Sequence, residues 1–251
     1  MTEPGGYFIT GTDTGVGKTV ATAALAAALQ QIGRRVVPFK PVQTGWTPDG
    51  GLTADAEFVA RVIESDEPLD AICPYRLPDP LAPNLAARRA GVTIDLDHLA
   101  ERWSALSKRH EVVLVEGAGG LLVSITDAIT VAGLAAQLAL PLVIVIRPGL
   151  GTLNQTCLAV EAARRRGLTI AGYLISGFPA TPDLATRLNP IELGRLLPDI
   201  PLIGVLPHDP DIDTERGRIG RITTWCRAAV SPLFGGYFST EDFYASLQPT
   251  E

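Results

Sequence analysis

Short apolar runs rich in β-branched residues alternate along the chain with longer stretches in which apolar positions recur three and four residues apart. Residues 7–10, 35–40, 112–116, 142–146, 170–176 and 202–206 read as strands. Residues 18–31, 54–63, 96–109, 131–140, 152–166 and 183–197 read as helices, and Gly33 and Gly167 stand where a helix-ending glycine belongs. Strands that are apolar without alternation must be covered on both sides. The pattern therefore predicts an α/β protein with a mostly parallel, doubly wound sheet. On such a sheet ligands sit at the carboxyl ends of the strands. Two stretches break the alternation. Residues 65–94, rich in Pro, read as an ordered surface excursion. From Glu215 a helix is expected through Arg227, followed by an aromatic tail whose side chains suggest docking and whose last residues suggest fraying.

Composition narrows the role. The 251 residues, 46% hydrophobic, suit one sizeable core, so a single domain over 1–251 is expected. A formal charge of −6 argues against nucleic acid and anionic membrane surfaces as partners, which are held through Lys and Arg. The longest apolar run, 138–146, is broken by Pro141 and is too short to span a bilayer. The start, MTEPGGYFIT, has no basic segment of a signal peptide. Cys73, Cys157 and Cys226 fit neither a disulfide framework nor a CxxC pair, which points to the cytoplasm. His98, His110 and His208 have no zinc spacing. Only Lys18, Lys40 and Lys108 of the 21 basic residues are lysine. In a chain that habitually uses Arg, a retained Lys marks a place that needs a compact, mobile cation.

Two of those lysines fall in motifs. Gly11-Thr-Asp-Thr-Gly-Val-Gly17-Lys18-Thr19 lies between a strand and a helix, the context a phosphate-binding P-loop requires. Its backbone N–H groups and helix start suit phosphates, Lys18 the terminal phosphates and the Thr19 hydroxyl Mg²⁺. Five residues rather than four separate Gly11 from Gly17, and Thr12 stands in place of the first Gly. Lys40 ends the second strand in FKPVQTG. Were that strand adjacent to the P-loop strand, Lys40 would face the γ-phosphate. Glu116 closes strand 112–116 and opens Gly117-Ala118-Gly119-Gly120, an acid placed as in nucleotide sites, with glycines that admit substrate. Asp55 begins a helix. Gly149-Leu-Gly-Thr-Leu-Asn154 opens another, so free N–H groups of Gly151, Thr152, Leu153 and Asn154 could hold a carboxylate.

GTDTGVGKT, FKPVQTG, the DA of TADAEF, EGAGGLLV and GTLNQT occur here in the order in which they occur in dethiobiotin synthetases, which the chain resembles over residues 6 to about 210. The resemblance implies a P-loop fold and an ATP-dependent ureido ring closure of 7,8-diaminopelargonate with CO₂. It implies that Gly15, Val16, Gly17, Lys18, Thr19 and Val20 hold the phosphates, and that Thr19, Asp55 and Glu116 hold Mg²⁺ or Mg-ATP. Gly117, Ala118, Gly119, Ser176, Gly177, Pro207 and His208 would complete the nucleotide site. Thr14, Lys40 and Thr44 would neighbour the diamine or its carbamate, with Lys18 and Lys40 catalytic. The contact from Gly151 to Asn154 would come from the second subunit of a homodimer.

Two departures stand out. Gly15 takes a position where the family often has Glu, and the Ser176-Gly177 pair stands where an adenine-reading Asn is usual, leaving ATP or another nucleoside triphosphate as co-substrate. A partition-type ATPase switch is the alternative reading, but its second signature lysine is absent from Thr12-Asp13-Thr14. A glutamine-using amidoligase needs an additional domain that 251 residues do not accommodate.

Overall fold

The computed structural model describes residues 5–47 and 51–247. The start read for a leader and the last residues read as fraying, 1–4 and 248–251, lie outside them. Along the chain run β1 (Gly6–Gly11), α1 (Lys18–Gln31), β2 (Val36–Phe39), β3 (Val42–Thr44) and α2 (Asp55–Val62). The excursion holds α3 (Leu69–Ile72), β4 (Tyr75–Leu77) and α4 (Pro83–Ala90). There follow α5 (Leu96–Ser107), β5 (Val112–Gly120), α6 (Val131–Gln137), β6 (Leu142–Ile146), α7 (Thr152–Arg164), β7 (Ile170–Phe178), α8 (Leu184–Leu196) and β8 (Leu202–Pro207). The chain closes with β9 (Ile212–Asp213), β10 (Arg218–Ile219), α9 (Ile222–Ala229) and α10 (Thr240–Ser246).

Among the described residues, six parallel strands form the main sheet in the order β2-β5-β1-β6-β7-β8. Every second residue of a strand points to the same face, and the core follows that rule. Tyr7 and Ile9 pack with α1, α2 and α9, whereas Phe8 between them packs with α5 and α6. Helix α1 is apolar almost all round because it is enclosed by the sheet, α2 and α9; its run of alanines is fully buried. Helices thus cover both faces, as the alternation implies.

The excursion is not a bare loop. β3 and β4 pair in parallel as a separate two-stranded sheet, Val42 opposite Tyr75 and Thr44 opposite Leu77. Both strands are too short for a sequence pattern of period two to register. The helix expected from Glu215 to Arg227 is corrected: residues 212–219 form the β9–β10 hairpin, and α9 starts only at Ile222. Gly217 and Gly220 there have φ of 68° and 54°, values that favour glycine and oppose a right-handed helix. The buried Asp209 carboxylate accepts from the N–H groups of Asp211 at 3.1 Å and Arg221 at 3.0 Å, and from the Trp225 indole at 3.3 Å. That node pins both ends of the hairpin.

Candidate active site

The P-loop leaves β1 in the middle of the sheet and enters α1. Gly15 and Gly17 adopt φ of 70° and 92°, which only glycine takes without strain. A side chain on Gly17 would also collide with Ser176 Oγ at the end of β7. No side chain caps the first turn of α1, so its N–H groups remain available to an anion. Lys18 Nζ donates to the Asp13 carbonyl at 2.8 Å. Burial, and then the nearby Lys40 ammonium, pushes Lys18 down to about 8.

A buried charge cluster faces the loop. Phe39 pairs with Val115, so the residues that follow, Lys40 and Glu116, emerge side by side at the carboxyl edge. Lys40 Nζ lies 2.6 Å from Glu116 Oε1 and 2.7 Å from Asp55 Oδ2. It also donates to the Gly117 carbonyl at 3.3 Å. Thr19 Oγ1 donates to Glu116 Oε1 and Thr22 Oγ1 to Glu116 Oε2, each at 3.1 Å. The Asp55 N–H donates to Gln43 Oε1 at 2.7 Å, which orients the start of α2. Burial alone would lower Lys40, but the two carboxylates override it and hold the ammonium well above its ordinary range. Burial likewise opposes charge on Asp55, and Lys40 outweighs it and holds the carboxyl low. Glu116 is pushed up by burial and by the charge of Asp55.

Lys18, Thr19, Lys40, Gln43, Asp55 and Glu116 line a cleft of about 840 Å³, together with Thr14, Val20, Thr44, Ala118 and Gly119. Thr53, Thr214 and Glu215 close another side, where the Thr53 N–H donates to the Glu215 carbonyl at 2.7 Å. Next to it is a smaller cavity of about 400 Å³ bordered by Arg147, Thr152, Gln155, Ser176 and Gly177. Asn189 fastens the loop before α7 by donating to the carbonyls of Pro148 at 3.0 Å and Gly149 at 2.9 Å. The donors around Lys40 are a hydroxyl and two carboxylates, the hard oxygens Mg²⁺ prefers. Two ammonium and two carboxylate charges balance in the cluster, so an incoming triphosphate needs a further cation. The residues therefore fit the metal.

Comparison with known proteins decides among the phosphate-binding families. Residues 5–216 match the family described as AAA domain. The chain is 46% identical over 217 residues to the ATP-dependent dethiobiotin synthetase of Anaeromyxobacter sp. (strain K), a match covering 86% of this chain and 96% of that one. With the enzyme of the same name from Frankia casuarinae it shares 43% over 244 residues, 96% of this chain and 98% of the other. The chain belongs to the dethiobiotin synthetase family. Among solved structures, the MinC:MinD cell division protein complex of Aquifex aeolicus superposes with a TM-score of 0.56 at 15% identity, covering 98% of both chains. A ParA family ATPase from Chlorobium tepidum gives 0.54 at 15%, covering 96% and 98%. At such identities these two speak for a common P-loop fold and for nothing else.

As a dethiobiotin synthetase, the chain brings Thr14, Gly15, Gly17, Lys18, Thr19, Val20, Lys40, Thr44, Asp55, Glu116, Ala118 and Gly119 to one cleft. Val16 is buried behind the loop. Gly117 has no room for a Cβ, which would press on Val131 and Phe8. Ser176, Gly177 and Thr152 border the smaller cavity, while Gly151, Leu153, Asn154, Pro207 and His208 line neither. The His208 N–H donates to the Phe178 carbonyl at 2.8 Å, tying the ends of β7 and β8. Lys40 does not follow a strand adjacent to β1, because β5 lies between β2 and β1. It reaches the P-loop side through Glu116 and Asp55 instead. Sequence reading missed Thr22, Gln43, Trp46, Thr214 and Glu215. Gln43 and Trp46 lie in and beside FKPVQTG, which was the signal available; Thr22 is one helical turn after Lys18 and so shares its face.

Proposed function

We propose that this chain is an ATP-dependent dethiobiotin synthetase that closes the ureido ring of dethiobiotin from 7,8-diaminopelargonate, CO₂ and a nucleoside triphosphate, as a step of biotin synthesis. The observation that carries the reading is the Lys40–Asp55–Glu116–Thr19 cluster facing the P-loop in one cleft, in a chain 46% identical to a curated synthetase.

One amine of the substrate adds to CO₂ and loses a proton, giving a carbamate. A carbamate oxygen attacks the γ-phosphorus as the bond to the diphosphate breaks, forming a carbamic-phosphoric anhydride. The second amine then attacks the carbonyl carbon, expels phosphate and loses its proton as the ring closes. Each step needs no enzyme nucleophile; it needs anions brought together, so catalysis is positioning and charge. Lys18 and Lys40 supply the compact positive charge, and Thr14 and Thr44 supply hydroxyls for the amine or carbamate. The N–H groups from Gly15 to Val20 cradle the phosphates. Thr19, Asp55 and Glu116 would hold Mg²⁺, which when bound neutralises phosphate charge.

The exposed leucines Leu150, Leu158, Leu184 and Leu188 on and before α7 and α8 support a homodimer in which Gly151–Asn154 of one subunit meets the substrate carboxylate of the other. Cys73, Cys157 and Cys226 are free, and no described helix is long and apolar enough to cross a membrane; both fit a cytoplasmic enzyme. The test is phosphate release from Mg-ATP. Release that requires both diamine and bicarbonate is the expected result, and release independent of the diamine contradicts the reading.

A further inference from the structure

In the β7–β8 ladder Ile175 lies opposite Val205 and Phe178 opposite Pro207, and the register shifts between the two pairs. β7 therefore spends one residue more than β8 over this stretch, a bulge in which Gly177 takes φ 76°. The residues inside it, Ser176 and Gly177, border the smaller cavity, and Ser176 Oγ stands against Gly17 of the P-loop. A bulge re-aims the residues it contains, so their place depends on what fixes the strand beyond them. Phe178 does this twice. Its carbonyl accepts the His208 N–H at 2.8 Å. Its ring meets the ring of Phe243 edge-on, with 5.4 Å between centres and 79° between planes.

Phe243 belongs to α10, a helix of seven residues, too short to persist by itself. Tertiary contacts hold it. Thr240 Oγ1 donates to the Leu202 carbonyl of β8 at 3.0 Å, and the Tyr244 hydroxyl to the Pro190 carbonyl of α8 at 3.1 Å. Tyr244 packs so close to Gly194 that a Cβ there would meet its hydroxyl, and the Phe238 ring lies 5.8 Å from that of Phe243. Phe243 lines neither cavity. We propose that it is a positioning residue for the nucleotide: through Phe178 it holds Ser176 and Gly177 against the base-bearing end, so that the C-terminal helix sets nucleotide affinity from outside the cleft. The inference rests on the reading of Ser176 and Gly177 as nucleotide neighbours and adds what keeps them in place. In that reading the phosphates are held separately, by the P-loop N–H groups and Lys18, so the effect falls on base and ribose.

Calorimetric binding of Mg-ATP and of Mg-bound inorganic triphosphate, which has neither base nor ribose, separates the two ends. Phe243→Ala should raise the ATP dissociation constant about three- to tenfold, the worth of one aromatic pair, and leave that of triphosphate within about twofold. Phe243→Tyr should retain wild-type affinity. Phe243→Leu keeps apolar bulk at a half-buried position; it should lie between, and it reads the effect even if Phe243→Ala unfolds. In a Phe178→Leu background, where the partner ring is gone, Phe243→Ala should add nothing further, a non-additivity that a general loss of stability would not produce. Unchanged ATP binding in both the Ala and Leu variants, equal weakening of ATP and triphosphate, or additive losses in the double variant overturns the inference. Wild-type protein that binds ATP no more tightly than triphosphate would remove Ser176 and Gly177 as nucleotide neighbours, and the inference with them. Tighter binding of ATP that none of the variants moves would remove the inference alone.

Discussion

Lys40 and Glu116 come from strands far apart in sequence, yet Nζ and Oε1 meet at 2.6 Å because Phe39 and Val115 pair just before them. Both groups are nearly inaccessible to solvent, and Asp55 shares the same ammonium. A planar Arg fork cannot replace a point charge shared between two buried carboxylates. Lys40→Arg and Lys18→Arg should each lose about a hundredfold in turnover, the equivalent of ~3 kcal/mol of charge stabilisation in a dry site. Circular dichroism should report an intact fold. Steady-state rates within about twofold of wild type in Lys40→Arg would remove that residue from the mechanism.

Asp55→Asn and Glu116→Gln keep the shape of the cluster and remove the charges a divalent ion needs. Both variants should require more Mg²⁺ for half-maximal ATP use. Titration of Mg²⁺ at fixed ATP checks this, and an unchanged midpoint in both contradicts their assignment.

The main elements were legible because each buried strand is a continuous apolar run and each helix carries its own period. The scarcity of Lys singled out Lys18 and Lys40, both of which line the cleft. What escaped depends on register between distant segments. No local pattern says that β5 separates β2 from β1, that Thr22 donates to Glu116, or that Gln43 orients Asp55. The β3–β4 pair has three residues per strand and is held by a long excursion. The hairpin after β8 was misread as helix because its stop signals, Gly217 and Gly220, act through φ, and its anchor is the distant carboxylate of Asp209.

That anchor has a pH signature. The N–H of Arg221, foremost among its partners, holds the Asp209 carboxyl below the usual Asp range. A carboxyl lowered on folding contributes stability that is present above its unfolded value and is lost as pH falls through the folded one. Wild-type thermal stability should therefore drop below about pH 4, and the drop should be shallower in Asp209→Asn. Melting curves with equal slopes against pH in the two proteins would remove Asp209 from the acid response.

The Ser176 hydroxyl beside Gly17 can donate or accept by rotation, whereas the amide usual in the family pairs with a donor and an acceptor at once. Without it, about 1 to 3 kcal/mol of base preference should be missing. CTP, GTP and UTP should then support ring closure at rates within roughly tenfold of ATP. Values of kcat/KM for the four triphosphates decide it, and an ATP preference above about a thousandfold defeats the argument.

The central claim is that this cleft joins CO₂ to a vicinal diamine at the expense of a phosphoryl transfer. Incubation of the protein with 7,8-diaminopelargonate, isotopically labelled bicarbonate and Mg-ATP, followed by mass spectrometry, addresses it most directly. The account requires dethiobiotin carrying the label, formed in step with ADP and about a hundredfold more slowly in Lys40→Arg. ATP hydrolysis without labelled dethiobiotin would contradict it.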